Sequence, residues 1–439
     1  MFDTVRNAFK VKDIRNRILF TFFMLIIIRI GSQLPIPGVD SSVFKQWFKS
    51  NTGDAFNFFD AFTGGSFESM SVFALNITPY ITSSIIIQLL TIAIPALEEM
   101  HRDGEEGRKK MTAITRYVTV GLALFESAAM TIGFSRGNIV KDMNFLKGIV
   151  VIVSLTAGSA MLMWIGERIT EKGVGNGISI VLAVNIVSRI PSDMTTLYEN
   201  FIKGKTIAKG MLAGLIIFAI IMVVVVFVLI LNGAERRIPV QYSKKMVGRK
   251  MMGGQATNIP LKVNTAGVIP IIFASSIMSF PGVIAQFAGK ANGTGIGSEI
   301  LRGLSSSNWC NPSQPQYSWG LLVYVVLCVF FAYFYTSITF NPREVAKNLN
   351  DRGGFIPGIR SGKPTVEYLT QILNYIILIG AVGLLIVAVI PIVASGVTGA
   401  KVGFGGTSII IIVGVILETL QTIKSMVSER SYSTVRGIF

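Results

Sequence analysis

The stretch 64-GGSFESMSVFALNITPYITSSIIIQLLTIAIPAL-97 decides how the chain is read, because it holds two pieces of different character. The first, Gly64 to Leu75, is short, rich in small residues and only moderately apolar. The second runs from Pro79 to Ile94 as an apolar segment ended by Pro95. Proline is best tolerated in the first turn of a helix, where its missing N–H has no partner to lose. Asn76 and Thr78 stand where a side-chain oxygen caps the same end, so the spacing predicts a helix starting at Pro79. Its sixteen residues reach only ~24 Å, short of the ~30 Å hydrocarbon layer. Such a helix begins inside the membrane, with a shorter piece folded in ahead of it. Backbone broken at that depth survives only where it lines a cavity or is buried in protein. The stretch therefore reads as the wall and stopper of a pore.

Composition agrees. Of 439 residues, 51% are hydrophobic and only 15% charged, where a soluble domain carries about a quarter. This is a polytopic membrane protein. The opening MFDTVRNAFKVKDIRNR is basic and amphipathic, and reads as a helix lying on the membrane surface rather than a cleavable leader. The net charge of +16 fits an excess of Lys and Arg in cytoplasmic loops. No basic soluble module suggests a nucleic-acid binder. Two cysteines, Cys310 and Cys328, and one histidine, His101, support neither a disulfide framework nor a metal site.

Ten apolar segments follow in order: Ile18–Leu34, Pro79–Ile94, Ile114–Phe134, Ile149–Ile169, Ile178–Ile190, Met211–Leu231, Ala266–Phe287, Leu321–Phe340, Leu369–Ile392 and Ser408–Met426. An even count puts both termini on one side. The segment NGAERRIPVQYSKKMVGRKMMGGQATNIPLK has seven basic residues against one acid. With Arg6, Lys10, Lys12, Arg15 and Arg17 at the front, Arg102, Arg108, Lys109 and Lys110, and the basic loop 341–368, it places both ends in the cytoplasm. The fold expected is all-α, with ten transmembrane helices in two inverted five-helix halves around a central pore. Residues 1–200 form one half and 201–439 the other, separated by the polar outer stretch Pro191–Gly210. No alignable repeat backs that division; it rests on counting.

Ile77 and Ile81 are four apart, as are Ile178 and Leu182 at the start of the fifth segment. Such pairs share a helix face, and most pairs like them are ordinary lipid- or core-facing aliphatics. These sit where short or broken helices begin, and a ring of such side chains makes a constriction that excludes water and ions. The fifth segment, Gly177–Ile190, is itself too short to span. GVGNG (173–177) lacks the preceding strand and following Lys–Ser/Thr of a phosphate loop, and reads as a tight link between helices. Arg29 reads as a side chain snorkelling to the outer surface. Glu126 and Glu418 are the carboxylates deepest in apolar sequence, too few for a proton-coupled site. The basic loops, about 233–265 and 341–368, are longer than topology needs and carry turn residues such as Pro239, Gly248, Pro357 and Pro364. They suit docking to an anionic partner. Helix count and composition alone fit a secondary solute transporter; scarce intramembrane charge and the long basic loops argue for a passive conduit. An intramembrane enzyme has no HExxH or serine–histidine pairing to rest on.

Against these residues the chain resembles the bacterial SecY family of protein-translocation channels. The resemblance runs through RIGSQLPIPGVD (29–40), FTGGSFES, ITPYITSSIIIQLL, GERITEKGVGNGISI (166–180), RRIPVQY (236–242), IPLKVNTAGVIPIIFASSI (259–277), NPREVAKNLN, GGFIPGIRSGKPT (353–365) and GGTSIIII (405–412), over essentially the whole chain. It implies a pore ring of Ile77, Ile81, Ile178, Leu182, Ile272 and Ile411. It implies a plug at about 64–73, led by Gly64, Gly65, Ser66, Phe67, Glu68, Ser69 and Met70. A lateral gate between the second and third and the seventh and eighth helices would hold Thr82, Gln88 and Ser276. Arg236, Arg237, Arg249, Lys250 and Arg360 would meet the SecA ATPase motor or the ribosome. SecE and SecG subunits, signal peptides, nascent chains and membrane lipid are the further partners implied, in a bacterial plasma membrane. No cofactor, metal or catalytic residue is implied, so the driving energy must come from a partner. The outer loop 288–320 matches no pattern of the family.

Overall fold

Backbone in hydrocarbon must satisfy its own hydrogen bonds, and each of the ten apolar segments is helical. The computed structural model of the chain describes residues 6, 8–51, 60, 63–136, 144–201, 207–242, 245–247, 250–252, 256–287, 296–305, 308–310, 314–398 and 406–436. In chain order the first half holds α1 (Lys12–Gly31), α2 (Ser41–Asn51), α3 (Thr78–Ala93), α4 (Pro95–Arg102), α5 (Gly104–Arg136), α6 (Phe145–Lys172) and α7 (Gly177–Phe201). The second half begins with α8 (Ile207–Gly233) and the strands β1 (Glu235–Tyr242), β2 (Lys245–Val247), β3 (Lys250–Met252) and β4 (Ala256–Lys262). It continues through α9 (Ile269–Phe287), α10 (Ile296–Leu304), α11 (Trp319–Thr339), α12 (Pro342–Asp351), β5 (Gly354–Phe355), α13 (Lys363–Thr398) and α14 (Gly406–Arg436). Among the described residues seven helices are long and apolar enough to cross a bilayer, or eight if the bent pair α3–α4 counts as one span. The chain is a multi-pass membrane protein.

Helix α6 packs on α1, α5 and α7, and α14 packs on α7, α8 and α13. The two groups of helices meet where α5 lies against α9 and where α7 lies against α8 and α14. The link at 173–176 is as tight as its glycines predict. Gly175 has φ +76°, and a Cβ on Gly177 would run into the Gly166 carbonyl of α6. The basic front end is anchored as well, since Ala8, Ile14 and Ile18 form an apolar cluster with Val174 of the link and Ile423 of α14.

Helix α7 is longer than the sequence suggests. It continues through Pro191 to Phe201, and α8 begins at Ile207, so most of the stretch read as a polar outer loop is helical, and the segment is not short. The reason is local chemistry. Arg189 pairs with Asp193 one turn on, Nε to Oδ1 at 3.5 Å, and Thr195 donates to the Pro191 carbonyl at 2.7 Å. Side-chain pairing at this spacing supports the helix where one backbone bond is lost.

The long basic loops are ordered, and they are one unit rather than two. Strand β1 is central in a sheet ordered β4-β1-β5, antiparallel on both sides, with Gln241 opposite Phe355 and Tyr242 opposite Gly354. Along β1 only Ile238 and Val240 are buried, the alternation of a strand with one face on a core. That core joins them to Leu261, Ala346, Leu349, Ile356, Leu369 and Ile376, drawn from both loops and the start of α13.

Candidate functional site

The apolar run of α3 ends in a sharp break. The helix spans sixteen residues, Ile94 leaves it in extended conformation, and α4 departs at 108°. Its beginning differs in detail from expectation. The helix starts at Thr78, with Ile77 at the N-cap and no side-chain cap. Asn76 does not cap because it stands at φ +53° and its amide is used elsewhere. Its Oδ1 accepts from Asn185 Nδ2 at 2.9 Å, and its backbone carbonyl accepts from Ser159 Oγ at 3.1 Å.

The six expected ring residues all fall in one apolar cluster. Ile77, Leu182 and Ile411 are buried in it, and Ile81, Ile178 and Ile272 are half-buried against it. They come from the α3 entry and from α7, α9 and α14, so residues of both helix groups close on one point. Moving each such side chain out of water contributes about 1.5–3 kcal/mol, which favours a closed aliphatic plug of side chains over a water column.

Residues 63–76 form a chain of turns whose Val72 and Phe73 join this cluster, while Phe67, Met70, Ala74 and Leu75 pack in a second one with Ile36, Phe44, Phe134 and Leu155. Ser66, Phe67, Met70, Ser71 and Phe73 are buried, while Gly64, Gly65, Glu68 and Ser69 are half-buried. Gly64 and Gly65 both adopt positive φ, which suits glycine alone without strain. Met70 also has positive φ, and its carbonyl accepts from Ile36 N at 3.0 Å while Val72 N donates to Leu34 O at 2.9 Å. This two-bond ladder pins the segment to the chain following α1. Small residues on the neighbours make room: Gly31 faces the Phe73 ring, and Gly158 lies against the Val72 carbonyl. Phe67 packs edge-on to Phe44 of α2 at 5.6 Å, and Phe44 on Phe134 of α5 at 5.1 Å.

Four residues tie this segment to α7 that sequence reading did not single out. Arg189 forms an ion pair with the fully buried Asp60, and Ser188 Oγ, which donates to the Asn185 carbonyl at 2.6 Å, lies against the Gly64 carbonyl. Asn185 Nδ2 bonds Asn76, and Asp193 supports Arg189 from within α7. Arg29 does not snorkel outward; its Nη1 donates to Ser188 Oγ at 2.9 Å. The visible signal was the polar spacing 185, 188, 189 within an otherwise apolar helix.

The residues expected at a gate are not joined to one another. Thr82 donates to the Thr78 carbonyl of its own helix at 3.1 Å, Gln88 has a buried carbonyl oxygen with no hydrogen-bond partner among the described residues, and Ser276 is half-buried. Ile85 of α3 shares one apolar cluster with Ile271, Phe273, Ala274 and Met278 of α9, and α9 packs on α5 and α11. Serine and threonine bind α3 to α5: Ser83 Oγ donates to the Thr115 carbonyl at 2.8 Å, and Thr119 Oγ1 donates to Ser83 Oγ at 3.0 Å.

Of the expected docking residues, Arg236 and Arg237 are exposed on β1 and Arg360 is exposed in the turn after β5. Gly358 and Gly362, both at positive φ, shape that turn, and Thr365 Oγ1 donates to the Arg360 carbonyl at 2.8 Å. Lys250 lies in β3, and Arg249 lies outside the described residues.

The SecY family model matches residues 71–420. A protein translocase subunit SecY of Streptomyces scabiei is 42% identical over 98% of this chain and 99% of its own length. One of Mycobacterium tuberculosis is 38% identical over 97% and 98%. Among solved structures, one described as a protein conducting channel superposes with TM-score 0.64 at 18% identity, covering 93% of this chain and 91% of the other. The idle yeast Ssh1 complex bound to the 80S ribosome gives TM-score 0.62 at 16% identity, covering 96% and 90%. The fold is thus shared well beyond detectable sequence likeness, and at closer range sequence likeness runs end to end: the chain belongs to the SecY family.

Proposed function

We propose that this chain conducts unfolded secretory polypeptides across a bacterial plasma membrane, with both termini in the cytoplasm, and releases membrane segments sideways. The single observation that carries the reading is the convergence of six aliphatic side chains from both helix groups on one cluster, which Val72 and Phe73 of the preceding turns also join. Ile77, Ile81, Ile178, Leu182, Ile272 and Ile411 form the seal. Aliphatic side chains close around a passing polypeptide without sequence-specific hydrogen bonds, which suits cargo of any sequence. Gly64 to Phe73 is the plug that fills the pore when no cargo is present.

The lateral gate lies between α3–α5 and α9–α11. Its apolar seam, Ile85 against α9, is the part a signal sequence or a nascent membrane helix replaces with its own apolar face. Thr82, Gln88 and Ser276 border that path, and the unpaired Gln88 carbonyl is a polar group that gains a partner when the seam opens. Membrane lipid meets the released helix there.

The sheet β4-β1-β5 carries Arg236 and Arg237, with Arg360 in the turn after β5, and Arg249 and Lys250 stand in sequence between β1 and β4. This basic region docks the SecA motor or the ribosome, which supplies the energy. Structural neighbours of the fold are described in ribosome complexes, Ssh1 of yeast and Sec61 of the canine endoplasmic reticulum. SecE and SecG complete the assembly around the two halves, 1–200 and 201–439. The chain is a channel subunit and not an enzyme.

Reconstitution into vesicles with its partner subunits and motor tests this reading. An unfolded secretory polypeptide should become protected from added protease in the presence of ATP. Uptake of small solutes without polypeptide protection would favour a solute transporter instead.

A further inference from the structure

The geometry points to one polar face of α7, formed by Asn185, Ser188, Arg189 and Asp193, as the dock that holds both ends of the plug segment, with Asp60–Arg189 as the end that releases and Asn76–Asn185 as the end that stays. This rests on reading Gly64 to Phe73 as the plug. Residues 185, 188 and 189 are spaced i, i+3, i+4 and so share a helix face, and Asp193 lies one turn beyond Arg189.

At the first end, Arg189 pairs with Asp60 through Oδ2, while Asp60 Oδ1 accepts from Glu68 N at 2.9 Å and from Thr63 Oγ1 at 3.2 Å. One carboxylate therefore ties α7 to the plug's own turn. Gly64 packs so closely on the Asn185 carbonyl and Ser188 Oγ that a Cβ there would collide with both, and Ser188 is itself held by Arg29 and by its own bond to the Asn185 carbonyl. At the second end, Asn185 Nδ2 donates to Asn76 Oδ1. Asn76 is covalently next to the ring residue Ile77 and the start of α3, so this end cannot leave without dragging a membrane helix.

The first end is built to leave. Removing one partner of a buried ion pair is costly because the other charge is stranded. Arg189 is not stranded when Asp60 departs, because Asp193 holds its Nε side. Asp60, moving out with the plug, returns to water. Asp193 thus lowers the cost of release, and Asp60 raises the cost of leaving the closed state. The three charges are positioning residues for the plug, and they act with opposite signs.

The test uses the full chain in its membrane complex in cells, with two secretory reporters. One has an intact signal sequence; the other has a weakened signal of which the wild-type chain still exports a measurable fraction. Asp60→Asn and Arg189→Gln should each raise export of the weakened reporter about tenfold, and the double variant should rise no further than the larger single. Asp193→Asn should lower it below wild type, because the released state then leaves Arg189 unpaired. Unchanged export in all variants would overturn the dock, as would a shift of all three singles in the same direction, the result of mere damage to the fold. If Asp60→Asn or Arg189→Gln does not accumulate, Arg189→Lys, which keeps the charge and loses the fork, should give a smaller rise, and no rise would count against the dock. Failure of the wild-type chain to export the intact reporter would count against the channel reading itself; normal intact export with flat variants would count against the dock alone.

Discussion

Helices α3 and α7 begin alike and end differently. Each brings a pair of aliphatics four residues apart to the same cluster, Ile77 with Ile81 and Ile178 with Leu182. Helix α3 then stops after sixteen residues at the break before Pro95, whereas α7 runs for twenty-five and passes through a proline. The difference is local: Ile94 leaves α3 in extended conformation ahead of Pro95, whereas Arg189–Asp193 and Thr195 carry α7 through Pro191. The segment 63–76 lies ahead of α3. Helix α7 runs on beside that segment, with Asn185, Ser188 and Arg189 within its first sixteen residues and Asp193 just beyond them. On the proposed reading, sealing and holding are separate tasks with separate chemistry. The seal needs only aliphatic bulk at a shared point, and the hold needs polar groups with named partners.

The largest expected effect isolates both helices from the driving machinery. Arg360→Glu should cut motor- or ribosome-driven translocation about tenfold or more, since reversing a docking charge costs several kcal/mol. Because Arg360 is exposed and touches neither α3 nor α7, ion leak and thermal stability should stay at wild-type values. A rise in leak would mean that docking site and seal are not separate. Next, Ile81→Asn and Ile178→Asn each place an amide in the apolar cluster at a cost of about 1–3 kcal/mol. Ion conductance of reconstituted channels should rise similarly for the two and further for the pair, with relaxed signal requirements. A leak from only one of them would break the equivalence of the two helix starts.

A smaller effect sharpens the comparison at the joint. Asn76→Ala and Asn185→Ala should each lower stability of the purified complex by about 1 kcal/mol, and together by no more than about the larger single value. Additive losses would show that the two amides do not act as a pair. Smallest of all, Pro191→Ala restores one backbone donor inside α7 and should raise the melting temperature by the equivalent of about 1 kcal/mol or less. A fall would mean that the proline itself shapes the outer part of the helix.

Much of this was legible in the chain. Helix α3 could be placed to within a residue because Pro79 and Pro95 act locally, through a missing donor and a fixed φ. The shared apolar cluster of Ile77, Ile81, Ile178, Leu182, Ile272 and Ile411 was legible through motifs of a known family, whereas the short fifth segment that supported it proved to be a long helix. The extension of α7 was not legible, since Pro191 followed by polar residues reads as an exit, and only Arg189 with Asp193 shows why it is not. Asp60 was missed for a related reason: its partner lies far along the sequence, and no local pattern pairs them. The sheet was half visible. Ile238 and Val240 alternate with polar neighbours as a strand should, yet the pairing of Tyr242 with Gly354 across the two loops depends on how α8 to α13 pack. The N-cap reading failed because Asn76 had a better use for its amide than capping a helix.

The most direct test of the central claim is site-specific photocrosslinking of a secretory chain stalled during translocation. A photoreactive residue at position 77, where α3 begins, and at position 272 of α9 should crosslink to the stalled chain. The same probe at Phe218, exposed on the outer face of α8, should not. Absence of crosslinks at 77 and 272, or equal yield at 218, would contradict a polypeptide path through the aliphatic cluster.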